Sequence, residues 1–185
     1  MRQTEETVHF NHLNNGFSSA FTGADALSLF NASHVLVGGG TYRNQPATAS
    51  DLTMTAIETA ITDIMDWVDD QSLKIKVMPK VLIVPTALWA VAEKVMNTDR
   101  AVGSADNDLN VVRGKMSIIV SPWLTDTDAW FIKTDIINGL TSYTRWDTEL
   151  ERDNDFDTKN LKFTGTRRWS SGWTDPRGAY GTAGA

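Results

Sequence analysis

At 185 residues, with 41% hydrophobic and 22% charged side chains, the chain holds enough apolar material for one well-buried domain or two small lobes sharing a core. A formal net charge of -6 and a pI near 5.0 exclude a broad basic surface for gripping phosphates, so any contact with nucleic acid is expected to be local or loose. With no cysteine there is neither a disulfide framework nor a thiolate metal site, and the lack of a charged-then-apolar leader or a membrane-length apolar run predicts synthesis in the cytosol with no membrane partner.

In chain order, residues 4–14 place Phe10 and Leu13 at helical spacing, with Val8 close by and Phe17 just beyond, and Asn15-Gly16 supplies residue types that end helices. Met1-Arg2-Gln3 leaves no room for a lead-in, which predicts a helix that frays at its start or lacks a preceding segment. Residues 17–49, rich in Gly, Ser and Asn and including Gly38-Gly39-Gly40, read as ordered loop with short strands pinned by Leu27, Leu29, Phe30, Val35 and Val37. Ser50 is placed to cap a helix over 52–70, whose Ile57, Ile61, Ile64 and Val68 form one stripe flanked by Ala60 and Met65. Leu73-Lys74-Ile75-Lys76-Val77 alternates like a half-exposed strand. Val81-Leu82-Ile83-Val84 is a continuous apolar run expected of a strand covered on both faces and closed by Pro85. Thr86 can cap a second helix with Leu88, Val91, Ala92, Val95 and Met96 on one face, and the polar residues 97–110 predict a mobile loop. Residues 116–120 predict a strand, Thr125-Asp126-Thr127-Asp128 a turn, and 129–132 a further strand.

The last third has another texture. Residues 140–150 and 161–169 alternate and predict a long antiparallel ribbon, which the tail Gly172-Trp173-Thr174-Asp175-Pro176-Arg177-Gly178 would break. Asp147, Glu149, Glu151, Asp153, Asp155 and Asp157 occupy every second position, a spacing that puts all of them on one face of an extended segment. Such a face repels itself unless a neighbour sets Arg or Lys opposite it, which points to a protein that tiles against its own copies. The fold class is α+β, a compact α/β lobe beside an elongated β lobe, with no internal repeat.

The residues that could carry chemistry have blander explanations. His9 and His12 with Glu5 or Glu6 lack the spacing of a zinc site and read as a solvated helix face. Asp153, Asp155 and Asp157 open like a calcium loop, but Thr158 and Thr164 stand where that loop needs Gly and a bidentate Glu. Gly38-Gly39-Gly40-Thr41 lacks the Lys and spacing of a phosphate loop. Ser33 and His34 are adjacent, so on a strand their side chains diverge, and there is no Gly-x-Ser-x-Gly elbow. No catalytic, cofactor-binding or metal-binding residue is therefore assigned, and no cofactor is expected. Of the tryptophans, Trp67 and Trp89 are expected in the core. Trp169 and Trp173, flanking Ser170-Ser171-Gly172, are expected to anchor a neighbour, since Trp is enriched at interface hot spots. Arg167 and Arg168 alone are too little charge for a nucleic-acid groove.

Ordered short blocks carry a resemblance over nearly the whole chain: Phe10-Asn11-His12-Leu13-Asn14-Asn15-Gly16-Phe17, Leu29-Phe30-Asn31-Ala32-Ser33-His34, Leu82-Ile83-Val84-Pro85, Ser121-Pro122-Trp123-Leu124-Thr125-Asp126 and Ala129-Trp130-Phe131, continuing through Arg145, Arg167-Arg168 and Asp175-Pro176-Arg177-Gly178. Together they resemble the major capsid (head) proteins of tailed bacteriophages. The resemblance implies the Hong Kong-type capsid fold: residues 1–15 the C-terminal end of a spine helix, 16–134 an α/β axial domain with 97–110 near a capsomer centre, and 135–185 a peripheral-domain β ribbon and tail. The family's N-terminal arm, extended hairpin and the start of the spine helix have no counterpart in these residues. The implied function is structural and non-enzymatic: hexamers and pentamers closing an icosahedral shell around double-stranded DNA. Portal, scaffold, maturation protease and decoration proteins would be partners, with assembly in the host bacterial cytoplasm. An encapsulin-like nanocompartment shell and a small α/β hydrolase using His34 or the acidic segment are the alternatives.

Overall fold

The computed structural model describes residues 2–101, 108–154 and 157–185. In chain order the elements are helix α1 (Arg2–Asn14), the short strands β1 (His34–Val35) and β2 (Thr41–Tyr42), helix α2 (Met54–Met65), β3 (Pro79–Pro85), helix α3 (Trp89–Asn97), β4 (Ser117–Ser121), β5 (Trp130–Thr134), β6 (Leu140–Asn154), β7 (Leu161–Trp173) and β8 (Ala179–Thr182). Single 3-10 turns, Thr86–Leu88 and Pro176–Gly178, precede α3 and β8. The central sheet has the order β4-β3-β5-β8, parallel only between β3 and β4, a connection that passes through α3.

The apolar run in β3 is covered on both faces, as its composition requires. Side chains of alternate parity point to opposite sides. Leu82, Val84, Trp130, Ile132 and Tyr180 face α2 and α3, meeting Ile57, Ile64, Ala92, Val95 and Met96 in one core. Val81, Ile83, Phe131 and Ala179 face the other way onto α1 and the 29–30 segment, where Leu13, Leu29 and Phe30 form the second core. The mixed α+β character read from the sequence is thus present, with the sheet as the shared wall of two cores.

Several local expectations are corrected. The α2 cap is Thr53, whose Oγ1 accepts from the Ala56 amide at 3.1 Å; Ser50 instead offers its carbonyl to Trp130 Nε1 at 3.0 Å. The helix ends at Met65 because Asp66 closes its last turn, so Val68 leaves the stripe and bridges to Lys74. That one bridge is all that forms of the strand expected over 73–77. Thr86 makes no capping bond, since the chain enters α3 through the 3-10 turn. Trp67 is buried, but Trp89 at the start of α3 is 56% exposed. Of the loop expected over 97–110, residues 102–107 lie outside the described residues; its base is tied by Ala101 N to Asp108 O and by Asn110 Nδ2 to Val95 O. The C-terminal segment does not trail outward: after the turn it returns to the central sheet as β8 beside β5.

Asn44 makes that return possible. Fully buried, it donates from Nδ2 to the carbonyls of Leu29, Pro176 and Ala179, accepts the Asn31 amide on Oδ1, and offers its own carbonyl to Gly181 N. It joins three segments distant in sequence through backbone groups that have no water to fall back on. Replacing Asn44 with Ala is expected to lower unfolding stability by about 2–4 kcal/mol in urea titration, the cost of stranding several buried polar groups. A loss below about 1 kcal/mol would contradict this role.

Candidate functional site

The largest departure from the α/β body is the β6–β7 ribbon. With 15 residues, β6 spans about 50 Å at the usual rise per residue. Cross-strand pairing runs from Leu140↔Trp173 at the base to Asn154↔Leu161 at the far end. It is interrupted by register shifts between Thr144 and Trp146 and between Trp146 and Glu149. Each shift inserts one extra β6 residue, and each such bulge reverses the side-chain alternation of β6 relative to β7.

The bulges decide which residues share a face. Directly opposed residues in an antiparallel pair lie on the same side. One face carries Trp146 opposite Arg168, Glu149 opposite Thr166, Glu151 opposite Thr164 and Asp153 opposite Lys162. The other carries Leu150 opposite Gly165, Arg152 opposite Phe163 and Asn154 opposite Leu161. The expected row of six acids is therefore shortened. Asp147 falls within the second bulge, Asp155 lies outside the described residues, and Asp157 is in the turn past the strand. Among the described residues, Glu149, Glu151 and Asp153 keep the alternation on one strand face. Trp146, which even spacing would separate from Glu149, joins them, and Arg168 lies over its ring at 5.9 Å.

The base of the ribbon is fixed by α1. Successive turns of the helix meet alternate residues of β7. Glu5 pairs with Arg167 at 2.5 Å, the His9 ring lies 5.0 Å from that of Trp169, His12 Nε2 shares a 2.8 Å hydrogen bond with Ser171 Oγ, and the His12 ring stands edge-on to Trp173 at 5.7 Å. His9, His12 and Glu5 thus form a helix–ribbon joint in place of the expected solvated face. Trp169 and Trp173, expected to reach a neighbour, are half-buried against their own chain. Behind the joint the two ends of the ribbon meet where Gly139 and Gly178 touch backbone to backbone; a Cβ on Gly178 would lie 2.3 Å from Gly139 Cα. The Asp175 amide and Thr174 hydroxyl both donate to the Asn138 carbonyl there. Beyond this base support ends: among the described residues, 143–154 and 161–166 are exposed.

Among the described residues the chemical candidates do not assemble a reactive site. His34, buried in β1, holds Asp25 Oδ2 at 2.6 Å through Nδ1, and its Nε2 has no hydrogen-bond partner among the described residues. Its ring stacks on Tyr42, and Tyr42 in turn lies 4.4 Å below the Arg177 guanidinium that pairs with Asp70 and Asp175. Burial raises the Tyr42 hydroxyl pKa well above its ordinary value, against the pull of Arg177. This stack ties the 25–42 loop to the turn before β8. No cluster of three or more His, Asp or Glu among the described residues is placed to hold a metal ion, and no helix there is long and apolar enough to cross a membrane.

The joint is expected to weaken in acid. Burial, and then the neighbouring His9, lower the His12 pKa, while Ser171 raises it. The folded state therefore favours neutral His12. Its contribution to stability is whole above the unfolded pKa near 6.5 and is lost as pH falls from there toward the lower folded value. Thermal melting is expected to show a drop in Tm between about pH 7 and pH 5 that shrinks in His12→Gln, which keeps a hydrogen-bonding group but does not titrate. An equal drop in the variant would remove His12 from the account.

Comparison with known proteins gives this geometry a family. The family model described as phage capsid protein matches residues 1–182. No curated protein matches the sequence. Among solved structures, the chain is similar to the virus-like particle from Pyrococcus furiosus at 11% identity and a TM-score of 0.45; the match covers 75% of this chain and spans 55% of that one's length. The family match runs over nearly the full length of the chain, which therefore belongs to the phage capsid protein family, a family of structural proteins.

Proposed function

We propose that this chain is the major shell subunit of a tailed bacteriophage, built on the Hong Kong-type fold and assembling as hexamers and pentamers into an icosahedral container for double-stranded DNA. The observation that carries the proposal is the ribbon: a strand pair with no core of its own, held by α1 at its base and exposed on both faces over its outer half. Two-stranded ribbons are marginal in water, so a long one that projects from its subunit suits a role in contact with neighbours. In this reading residues 1–15 end the spine helix, 16–134 form the axial domain and 135–185 the peripheral domain, with β8 returned to the axial sheet. Portal, scaffold, maturation protease and decoration proteins would act on the assembled virion capsid, formed in the host cytoplasm. The acidic balance suits a wall past which DNA slides.

Reversing Glu149, Glu151 and Asp153 together to Lys is expected to abolish or misshape particles in electron microscopy while leaving subunit circular dichroism unchanged, because the ribbon face they share is exposed. Normal particles from this variant would remove the acidic face from assembly. Wild-type subunits that stay monomeric by light scattering at high concentration would overturn the shell reading. Particles without nucleic-acid absorbance would favour an encapsulin-like compartment.

A further inference from the structure

Resting on the shell reading, and deepening it, we propose that the Trp146 face of the ribbon docks into an apolar groove on the α2 side of a second copy. The groove lies between α2 and the segments leading into β3 and β4, encloses about 420 Å³, and is floored by Ile61, Met65, Met78 and Val111. Met65 is 53% and Val111 54% exposed, an apolar opening that its own chain leaves uncovered. Its two walls carry opposite charge. Glu58 stands on the helix wall, and Lys115 on the other. Lys80 follows Pro79 at the same end, and Ser117 Oγ donates to its carbonyl at 3.4 Å, which brings residue 80 beside the strand that Lys115 leads into. Among the described residues, Glu58, Lys80 and Lys115 have no ion-pair partner.

The ribbon face has the matching order. Trp146, 50% exposed, and Tyr143, 67% exposed opposite Ser170 nearer the base, are its large apolar side chains, with Arg168 over the Trp146 ring and the row Glu149, Glu151, Asp153 leading away toward the tip. Seating the indole on Met65 and Val111 sets Arg168 toward Glu58 and the acidic row toward Lys115 and Lys80. An aromatic anchor in an apolar pocket supplies affinity, while flanking charges of alternating sign fix direction and register. A second copy is favoured as occupant because both halves of the match, apolar and charged, are on one chain. The contact is heterologous, ribbon of one copy to groove of the next, and a heterologous contact repeated by rotation closes rings.

The cysteine-free sequence allows a direct test. Chains carrying only Thr166→Cys, on the ribbon face opposite Glu149, are mixed with chains carrying only Val111→Cys, assembled and oxidised. A disulfide between the two kinds of chain supports the contact. Cross-linking only between Thr166→Cys chains, or none within assembled particles, overturns it. Charge exchange gives the second arm. Arg168→Glu and Glu58→Arg are each expected to lower particle yield at least ~10-fold, and the double variant to recover to within about twofold of wild type. A double variant no better than either single one overturns the pairing. If wild-type subunits form no particle at all, the shell reading falls, and the mixed cross-link, measured on concentrated subunits, still decides the contact.

Discussion

A two-stranded antiparallel ribbon satisfies its backbone along one line of hydrogen bonds and has no third layer in which to bury side chains, so its order over about 50 Å has to be supplied from outside it. Among the described residues, this chain supplies that support at the base of the ribbon. Glu5, His9 and His12 descend one side of α1 at helical intervals and meet Arg167, Trp169 and Ser171 at strand intervals, while Gly139 and Gly178 lock the two ribbon ends together. Among the described residues, 143–154 and 161–166 extend from that joint and are exposed. The α/β body, with two cores on one four-stranded sheet, is the rigid base that makes such an extension possible.

The bulges give the ribbon its functional asymmetry. Strict alternation from Trp146 to Glu149 would have sent the indole to one side and the acids to the other. One inserted residue brings them to the same side, and an earlier insertion leaves the base of β6 facing α1. The result is one face that reads, from base to tip, as aromatic then acidic, and an opposite face that begins under α1 and ends in Leu150, Phe163 and Leu161. In the proposed reading, a surface of that kind spends its chemistry on recognition between subunits.

Much of the body was legible from residue order. The continuous run in β3 announced a strand buried on both sides, the Ile57, Ile64 stripe announced α2, and the alternating segments after Leu140 announced the ribbon. What stayed hidden has a physical cause in each case. The helix cap is Thr53 because the helix begins at Met54, which leaves Ser50 outside it, with its carbonyl accepting from Trp130 Nε1. β8 is four residues with two small members, too short and mild for periodicity to mark it, and its place is set by Asn44, whose partners are remote in sequence. The bulges leave no mark in composition, so Asp147 looked like a member of the acidic row although it falls within the second bulge. His9 and His12 looked like a solvated face because their partners arrive only with β7.

The central claim is that the outer ribbon is completed by neighbouring copies. Amide hydrogen exchange on dissociated subunits and on assembled particles tests it most directly. The account predicts rapid exchange over 147–153 and 161–166 in dissociated subunits and strong protection of the same amides in particles, with β3 and β5 protected in both. Equal exchange of the outer ribbon in the two states would contradict it.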